Sequence, residues 1–296
     1  MTVSGEHCPV LLQKVLEIFE RSTIAQHSDG WILDGTFGRG GHSRALLNHF
    51  PNLNVLALDK DTAAIEYGQS LGLKQLHLLH DSFAHLSDVV GARKVGGVLL
   101  DLGVSSPQLD TAERGFSFSK LGPLDMRMNQ GQKLTAADLL RTKTEKELAD
   151  IFFYYGEERK SRRIARQIVQ NRSAFQTTTD LAQLVQRCVP TKFGQIHPAT
   201  RVFQALRIAV NDELKELEQG LQQALSVLQP GGALVVISFH SLEDRIVKHF
   251  FKQTRPFWQE VSLKPLMACQ EECQENPRAR SAKLRFGLRN DEKFLT

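Results

Sequence analysis

The sequence predicts an α/β protein with a Rossmann-like, mostly parallel sheet that an all-α insertion interrupts. Three observations predict this fold. Short apolar runs alternate with helix-like segments from Gly30 onward, most of these runs end on aspartate, and a long interval separates the fourth run from the fifth. Open α/β sheets bind ligands beyond the carboxyl ends of their strands, so the aspartates indicate the candidate site.

The first four strands are predicted from apolar runs at residues 31–34, 55–59, 76–79 and 98–101. Asp34, Asp59 and Asp101 end three of them. Because the carboxyl ends of parallel strands meet at one edge of a sheet, we expect these carboxylates to lie close together.

A fifth strand is predicted at residues 233–238, after the turn Pro230-Gly-Gly232. The segment before the turn has leucines at helical spacing and predicts the crossover helix. Residues 281–289 alternate strictly, which predicts a last strand with one buried face. The leucines of the helix are Leu214, Leu217, Leu221, Leu225 and Leu228.

The interval between Asp101 and the crossover helix holds roughly 110 residues, far more than one crossover needs. We therefore predict an inserted helical domain at residues 134–207 within a discontinuous main domain at 1–133 and 208–296. Helix starts are indicated at Thr144 and near Thr179.

Composition narrows the class of protein. The chain has 296 residues, a net charge of +4 and four cysteines. It shows no apolar run of transmembrane length, no signal-peptide pattern and no disulfide framework, so a cytoplasmic protein is expected. Cys269 and Cys273 form a C-x3-C pair without further Cys or His ligands nearby, so no metal site is predicted.

A glycine-rich loop follows Asp34 and reads G-x-x-G-x-G-G over residues 35–41. Glycines let a backbone turn sharply and approach a ligand closely. About 25 residues later, Asp59 stands where a carboxylate accepts hydrogen bonds from the ribose of an adenosine group. The spacing resembles the first motif of class I methyltransferases more than the G-x-G-x-x-G of dehydrogenases, which favours S-adenosylmethionine over NAD.

A polar loop at residues 101–110 follows the fourth strand and is a candidate for holding a target amine. Carbonyl groups beside a proline accept amine hydrogens, and the proline stiffens the loop. His240 follows the fifth strand and could act directly or be a structural histidine. The candidate catalytic residues are Ser105, Ser106, Pro107 and His240.

Two basic clusters are candidates for RNA contact. The first has arginines on one face of a predicted helix and Arg201 near the start of another. A solvated basic face is the alternative interpretation. The helix arginines are Arg159, Arg162, Arg163 and Arg166; the second cluster contains Arg278, Arg280, Lys283, Arg285 and Arg289.

Long motifs resemble one family, the bacterial 16S ribosomal RNA (cytosine-N4) methyltransferases called RsmH or MraW, in order along nearly the whole chain. The similar stretches are His7-Cys-Pro-Val-Leu11, Asp34-Gly-Thr-Phe-Gly-Arg-Gly-Gly-His42, Asp101-Leu-Gly-Val-Ser-Ser-Pro-Gln-Leu-Asp110, Arg114-Gly-Phe-Ser-Phe118, Leu124-Asp-Met-Arg-Met128, Tyr155-Gly-Glu-Glu-Arg159, His197-Pro-Ala-Thr-Arg-Val-Phe-Gln-Ala-Leu-Arg207 and Ile237-Ser-Phe-His-Ser-Leu-Glu-Asp-Arg245.

The resemblance implies a class I fold with a seven-stranded sheet. It also implies methylation of a cytosine in the decoding region of 16S rRNA, in the small ribosomal subunit, with the inserted domain helping to hold RNA. The implied S-adenosylmethionine site consists of Gly40, Gly41, His42, Asp59, Phe83, Asp101 and Gln108.

Two alternatives stay open at this point: a nicotinamide-dependent oxidoreductase, and a non-catalytic RNA-binding or assembly module with a methyltransferase fold. Binding of S-adenosylmethionine distinguishes a methyltransferase from the first alternative, and methyl transfer to RNA distinguishes an active enzyme from the second. The sequence does not identify the residue that accepts the proton of the target amine. It also does not decide whether the substrate is free rRNA or an assembled subunit, or whether the protein is a monomer or a homodimer.

Overall fold

The computed structural model describes residues 9–26, 30–173, 175–190 and 196–290. The chain divides into two compact units. The first combines residues 1–103 and 214–296, and the second spans residues 104–213. His7 and Cys8 of the first similar stretch lie outside the described residues.

A seven-stranded sheet forms the centre of the first unit, in the order β3-β2-β1-β4-β5-β7-β6. Strands β1 to β5 are parallel to one another, and β7 is antiparallel to both β5 and β6. This confirms the predicted α/β class with a mostly parallel sheet. The strands are β1 Trp31–Asp34, β2 Asn54–Asp59, β3 Leu76–His80, β4 Val95–Asp101, β5 Leu228–Ser238, β6 Trp258–Val261 and β7 Lys283–Arg289.

Helices flank the sheet and build the second unit; α5 to α10 belong wholly to that unit. None of the helices in the described ranges is long and apolar enough to span a bilayer. They are α1 Leu12–Glu20, α2 Gly41–His49, α3 Thr62–Ser70, α4 Leu86–Val90, α5 Ser106–Asp110, α6 Ala136–Thr142, α7 Glu145–Tyr154, α8 Ser161–Gln170, α9 Thr178–Cys188, α10 Ala199–Asn211, α11 Glu213–Val227, α12 Ser241–Gln253 and α13 Gln270–Glu275.

The sheet has an apolar cluster on each face, because apolar side chains of its central strands alternate between the two layers. In β4, for example, Leu99 belongs to one cluster, while Val98 and Leu100 belong to the other. A strand buried on both faces reads as a continuous apolar run, which is how β4 and β5 appear in the sequence. The sheet therefore holds its carboxyl-end loops on a rigid base.

Strand β7 differs from its predicted single buried face. It lies between β5 and β6, and Arg285 in its middle is only 4% exposed. The Arg285 Nε atom donates to Asp244 Oδ1 at 2.7 Å, and Arg289 Nη1 donates to the Leu225 carbonyl at 2.9 Å. The prediction that Arg285 belongs to a basic surface is therefore wrong. Its side chain lies on a face of the sheet that α12 covers, where it pairs with Asp244.

The second unit begins at Val104 and ends at Glu213, a wider range than the predicted insertion at 134–207. The physical reason is its core, since Phe116, Leu124 and Met126 pack in the same apolar cluster as the helices. Thr144 caps α7 as predicted, and Thr177 rather than Thr179 caps α9. Capping by Thr with an acidic residue three positions later explains both helix starts.

Candidate active site

Three carboxylates lie at the carboxyl edge of the sheet, as the sequence predicted. Asp34, Asp59 and Asp101 end β1, β2 and β4, and β1 lies between the other two strands. The pKa of Asp34 is raised to about 6, mainly by burial and in part by the Asp59 charge, while hydrogen bonds from Ser43 and Thr36 oppose the change. This edge concentrates negative charge in a partly desolvated place, which favours a cationic ligand.

Two hydroxyl residues that the sequence analysis missed connect the strand ends. Asp34 accepts from the Thr36 backbone N–H at 3.1 Å and from Ser43 Oγ at 2.6 Å. The Asp101 backbone N–H donates to Thr36 Oγ1 at 2.7 Å, which joins the β1 loop to the end of β4. Thr36 lies inside the glycine-rich loop and Ser43 lies two residues after it, which is the signal that could have identified them.

Asp59 holds the glycine-rich loop in place. Its Oδ2 accepts from the Gly38 backbone N–H at 2.7 Å, and its Oδ1 accepts from the Asp61 backbone N–H at 2.8 Å. Burial raises the pKa of this carboxyl, and these two hydrogen bonds oppose the change. Each carboxylate oxygen has a second lone pair, so Asp59 keeps acceptor capacity for ribose hydroxyls.

Gly40 and Gly41 are required by the backbone at the start of α2. Gly40 has φ +67°, and a Cβ there would lie 2.6 Å from the Phe37 ring. A Cβ at Gly41 would lie 2.7 Å from Pro9 Cγ. The loop therefore leaves no space for side chains at these two positions, and its backbone N–H groups begin a nine-residue helix.

The His42 side chain does not point freely into the site. It is 6% exposed, its Nε2 lies 3.1 Å from the Val10 carbonyl oxygen, and its Nδ1 lies 3.5 Å from Asp101 Oδ2. Burial lowers the pKa of this imidazole to about 4. The ring is therefore neutral near pH 7 and positions Asp101 against the segment before α1.

Asp101 carries an unusual oxygen. Its Oδ1 is buried and has no hydrogen-bond partner within the described part of the chain. The pKa of this carboxyl is raised to about 8, mainly by burial and in part by the Asp34 and Glu243 charges, while the Arg278 charge opposes the change. Buried polar atoms are normally satisfied, so this oxygen indicates either a bound proton or a ligand contact.

Phe83 follows Asp81 and Ser82 at the end of β3 and is partly buried. It packs beside two glycines: a Cβ at Gly35 would lie 2.8 Å from Phe83 Cβ, and one at Gly220 would lie 2.4 Å from the ring. The glycines leave room for the ring beside the cofactor loop. This position agrees with the adenine-flanking role that the resemblance implies, which stays a prediction.

The residues predicted to hold the target amine form a helix start in the second unit, not an open loop. Ser105 precedes α5, and its backbone N–H donates to Gln108 Oε1 at 3.0 Å. The Pro107 carbonyl accepts from the Thr111 N–H at 2.9 Å. Serine, a proline in the first turn and glutamine three residues after the cap form a capping-box pattern that could have predicted this helix.

His240 caps a helix in the first unit. It precedes α12, and its Nδ1 accepts from the Glu243 backbone N–H at 3.4 Å. Its Nε2 lies 3.1 Å from Glu243 Oε1 without hydrogen-bond geometry. Glu243 in turn accepts from the Phe239 backbone N–H at 2.8 Å. These contacts favour the structural interpretation of His240 over direct catalysis.

The arginines of the second unit are mostly exposed. Arg162 and Arg163 lie on the outer side of α8, whereas Arg159 lies in the turn before it and not on the helix as predicted. Arg166 is exposed but pairs with Glu145, Nε to Oε1, at 3.3 Å. Arg201 on α10 contacts the Glu157 carbonyl oxygen at 3.5 Å.

A family model described as the MraW methylase family matches residues 4–289. The chain belongs to the MraW methylase family. Three curated relatives bear the name ribosomal RNA small subunit methyltransferase H. That of Crocosphaera subtropica is 49% identical over 96% of this chain and 89% of its own length. That of Cyanothece sp. is 50% identical, covering 96% and 95%, and that of Magnetococcus marinus is 48% identical, covering 96% and 98%.

Family membership makes the chain a methylase and sets aside the oxidoreductase alternative. The cofactor of this methylase is S-adenosylmethionine, as predicted from the glycine-rich loop. The residues present fit such a molecule. Asp59 has acceptor capacity for ribose hydroxyls, Asp101 has an unsatisfied oxygen, and the acidic edge matches a sulfonium cation better than a pyrophosphate.

Proposed function

We propose that this methylase transfers the methyl group of S-adenosylmethionine to the N4 amine of a cytosine in the decoding region of 16S rRNA, in the small ribosomal subunit. It acts in the cytoplasm, where its substrate is assembled. The name shared by relatives that are about half identical over nearly their whole length supports the ribosomal RNA substrate. The similar stretches in the sequence support the cytosine amine.

One observation carries the chemistry: the acidic edge built by Asp34, Asp59 and Asp101, with a buried Asp101 oxygen that lacks a partner among the described residues. When bound, the cofactor supplies an electrophilic methyl group on a cationic sulfur. Asp59 would hold the ribose, Phe83 would flank the adenine, and Gly40 and Gly41 would present their backbone to the cofactor. Asp101 contributes a carboxyl group that supplies a negative charge for the cation once it loses its proton.

The target amine needs positioning, because its lone pair is delocalised into the cytosine ring and it is a poor nucleophile. We assign that role to the start of α5, where Ser105, Ser106 and Pro107 precede Gln108. We propose that the Ser106 and Pro107 carbonyl groups orient the amine; the Pro107 carbonyl also accepts from the Thr111 N–H at 2.9 Å. His240 maintains the start of α12.

RNA is held by the exposed arginines of the second unit. Arg159, Arg162 and Arg163 are the main phosphate contacts, and Arg201 is a further candidate. Arg166 contributes less, since Glu145 already neutralises part of its charge. Phosphate contacts of this kind give affinity without sequence preference. The target cytosine must be unpaired or extruded before it reaches a buried site.

The test is transfer of labelled methyl to small ribosomal subunits that lack cytosine-N4 methylation, with the product mapped by nuclease digestion and mass spectrometry. We expect one methylated cytosine with the wild type and none with Asp101→Ala. Asp88→Asn, which changes an exposed carboxylate of the same unit, is the matched control. Cofactor binding without any transfer would support the non-catalytic module instead.

A further inference from the structure

Two aromatic side chains are exposed side by side at the end of α7 in the second unit. Phe153 is 51% and Tyr154 is 63% exposed. Their ring centroids lie 5.2 Å apart in an edge-to-face arrangement. The apolar face of the same helix is already used, since Leu148 and Phe152 are fully buried. Phe153 and Tyr154 are therefore not part of the hydrophobic core of this unit.

Hydrogen bonds and close packing fix the backbone of the turn that follows the pair. The Glu158 backbone N–H donates to the Phe152 carbonyl at 3.0 Å, and the buried Glu158 carboxylate accepts from the Lys160 N–H at 2.7 Å. A Cβ at Gly156 would lie 2.5 Å from the Arg201 carbonyl oxygen. Gln204 on α10 donates to the Tyr155 carbonyl at 3.0 Å. A fixed turn means that little conformational entropy is lost when a ligand binds.

The segment that contains the pair carries more exposed basic than acidic residues. Within residues 150–163, four basic residues and two acidic residues are exposed, so this segment favours an anionic ligand. Single-stranded nucleic acid is bound by surfaces that combine basic side chains with exposed aromatic rings. The rings stack on the π faces of the nucleobases, and the basic side chains contact the phosphates. The basic residues are Arg159, Lys160, Arg162 and Arg163, and the acidic residues are Asp150 and Glu157.

We propose that Phe153 and Tyr154 form a stacking platform for unpaired RNA bases, and that Arg159, Arg162 and Arg163 hold the adjoining phosphates. This inference rests on the proposed function and specifies the form of its substrate: RNA that is single-stranded beside the target cytosine. Stacking on the platform keeps the flanking nucleotides from re-pairing while the target base is held.

The test measures binding of the full-length protein to a dye-labelled single-stranded RNA and to a blunt-ended RNA duplex of equal length. We expect Phe153→Ala/Tyr154→Ala to lose about 5-fold or more in single-strand affinity for each stacked base and to lose less on the duplex. Phe153→Tyr/Tyr154→Phe keeps both rings and should restore binding. Leu121→Ala, at a 68% exposed apolar residue of the same unit, should change nothing.

Unchanged single-strand affinity in the double alanine variant, or an equal loss on the duplex, would overturn the platform. So would loss of self-association in sedimentation with RNA affinity intact, since the pair would then be a contact between copies. Methyl transfer to small subunits is measured in parallel. A wild type that binds RNA through the pair but methylates no cytosine contradicts only the proposed function, and the reverse result contradicts only the platform.

Discussion

The Nδ1 atom of His42 lies 3.5 Å from Oδ2 of Asp101, while the other ring nitrogen lies 3.1 Å from the Val10 carbonyl oxygen. A carbonyl oxygen only accepts, so Nε2 carries the hydrogen, and Nδ1 of the neutral ring is an acceptor. A carboxylate facing it would be a second acceptor. Protonated Asp101 resolves this conflict, in agreement with its pKa near 8.

Cofactor affinity is expected to rise with pH up to about 8 and then level off. Below the raised pKa of Asp101, binding of a sulfonium cation must expel a proton from that carboxyl, and above it the charge is already present. Calorimetry in buffers of different ionisation enthalpy should detect net proton release near pH 7.

S-adenosylhomocysteine is the control for this prediction, because it has the same ribose and amino-acid groups but no positive sulfur. Its affinity should depend less on pH than that of the methyl donor. Equal pH dependence of the two molecules, or no proton release with the donor, would show that Asp101 is ionised in the ligand-free protein.

Asp101→Asn should stabilise the protein relative to the wild type as pH rises. Between the unfolded pKa near 3.8 and the folded pKa near 8, the unfolded wild type is ionised at this residue while the folded state holds the proton. The wild type therefore loses stability from Asp101 across this window, and asparagine does not titrate. Urea unfolding at about pH 5 and about pH 9 measures the difference.

A constant difference between the two proteins at both pH values would contradict the raised pKa. The comparison isolates Asp101, because His42 and Asp34 are present in both proteins. His42 has its pKa lowered to about 4, and Asp34 has its pKa raised to about 6. Their own contributions to the pH dependence therefore cancel in the comparison to first order.

Gly40→Ala should lower both stability and cofactor affinity, and Gly72→Ala should lower stability slightly and affinity not at all. Both glycines have positive φ, +67° and +62°, but only Gly40 faces an obstructing ring. Left-handed strain alone costs about 1 kcal/mol, and overpacking against Phe37 adds about 1–3 kcal/mol. Thermal unfolding and cofactor titration check both; equal losses in the two variants would contradict the steric argument.

Arg285→Met should destabilise the protein by about 1–3 kcal/mol, because it removes the Nε donor to the Asp244 carboxylate and leaves Lys283 as the remaining cation paired with it in the part of the chain that the structure describes. Arg280→Met, at an exposed position, should cost less than about 0.5 kcal/mol. Denaturant unfolding measures both. Wild-type stability of Arg285→Met with weakened RNA binding would instead restore this residue to the basic surface.

Arg162→Ala/Arg163→Ala should weaken RNA binding and reduce its salt dependence. Each lost phosphate contact lowers the slope of log affinity against log salt by about 0.7 for single strands. Arg166→Ala should have a smaller effect because of its Glu145 pair. Binding measured over a range of salt concentrations decides this, and an unchanged slope in the double variant would leave the arginines as a solvated face.

Local patterns in the sequence predicted much of this protein. Apolar runs ending in aspartate placed Asp34, Asp59 and Asp101 at one sheet edge, since the direction of parallel strands fixes where their ends meet. The glycine spacing indicated the cofactor loop, and the positive φ of Gly40 shows why a glycine stands there. These features depend on residues close together in the chain, where periodicity and turn chemistry act directly.

Only the tertiary structure decided how distant residues change each other's chemistry. Alternation in the last strand indicated an exposed Arg285, but its burial beside Asp244 depends on a helix some forty residues earlier. The raised pKa of Asp101 likewise depends on burial and on the charges of Asp34 and Glu243, which the fold brings together from separate segments. Sequence specifies which groups are present, whereas desolvation and pairing arise only when the fold brings separate segments into contact.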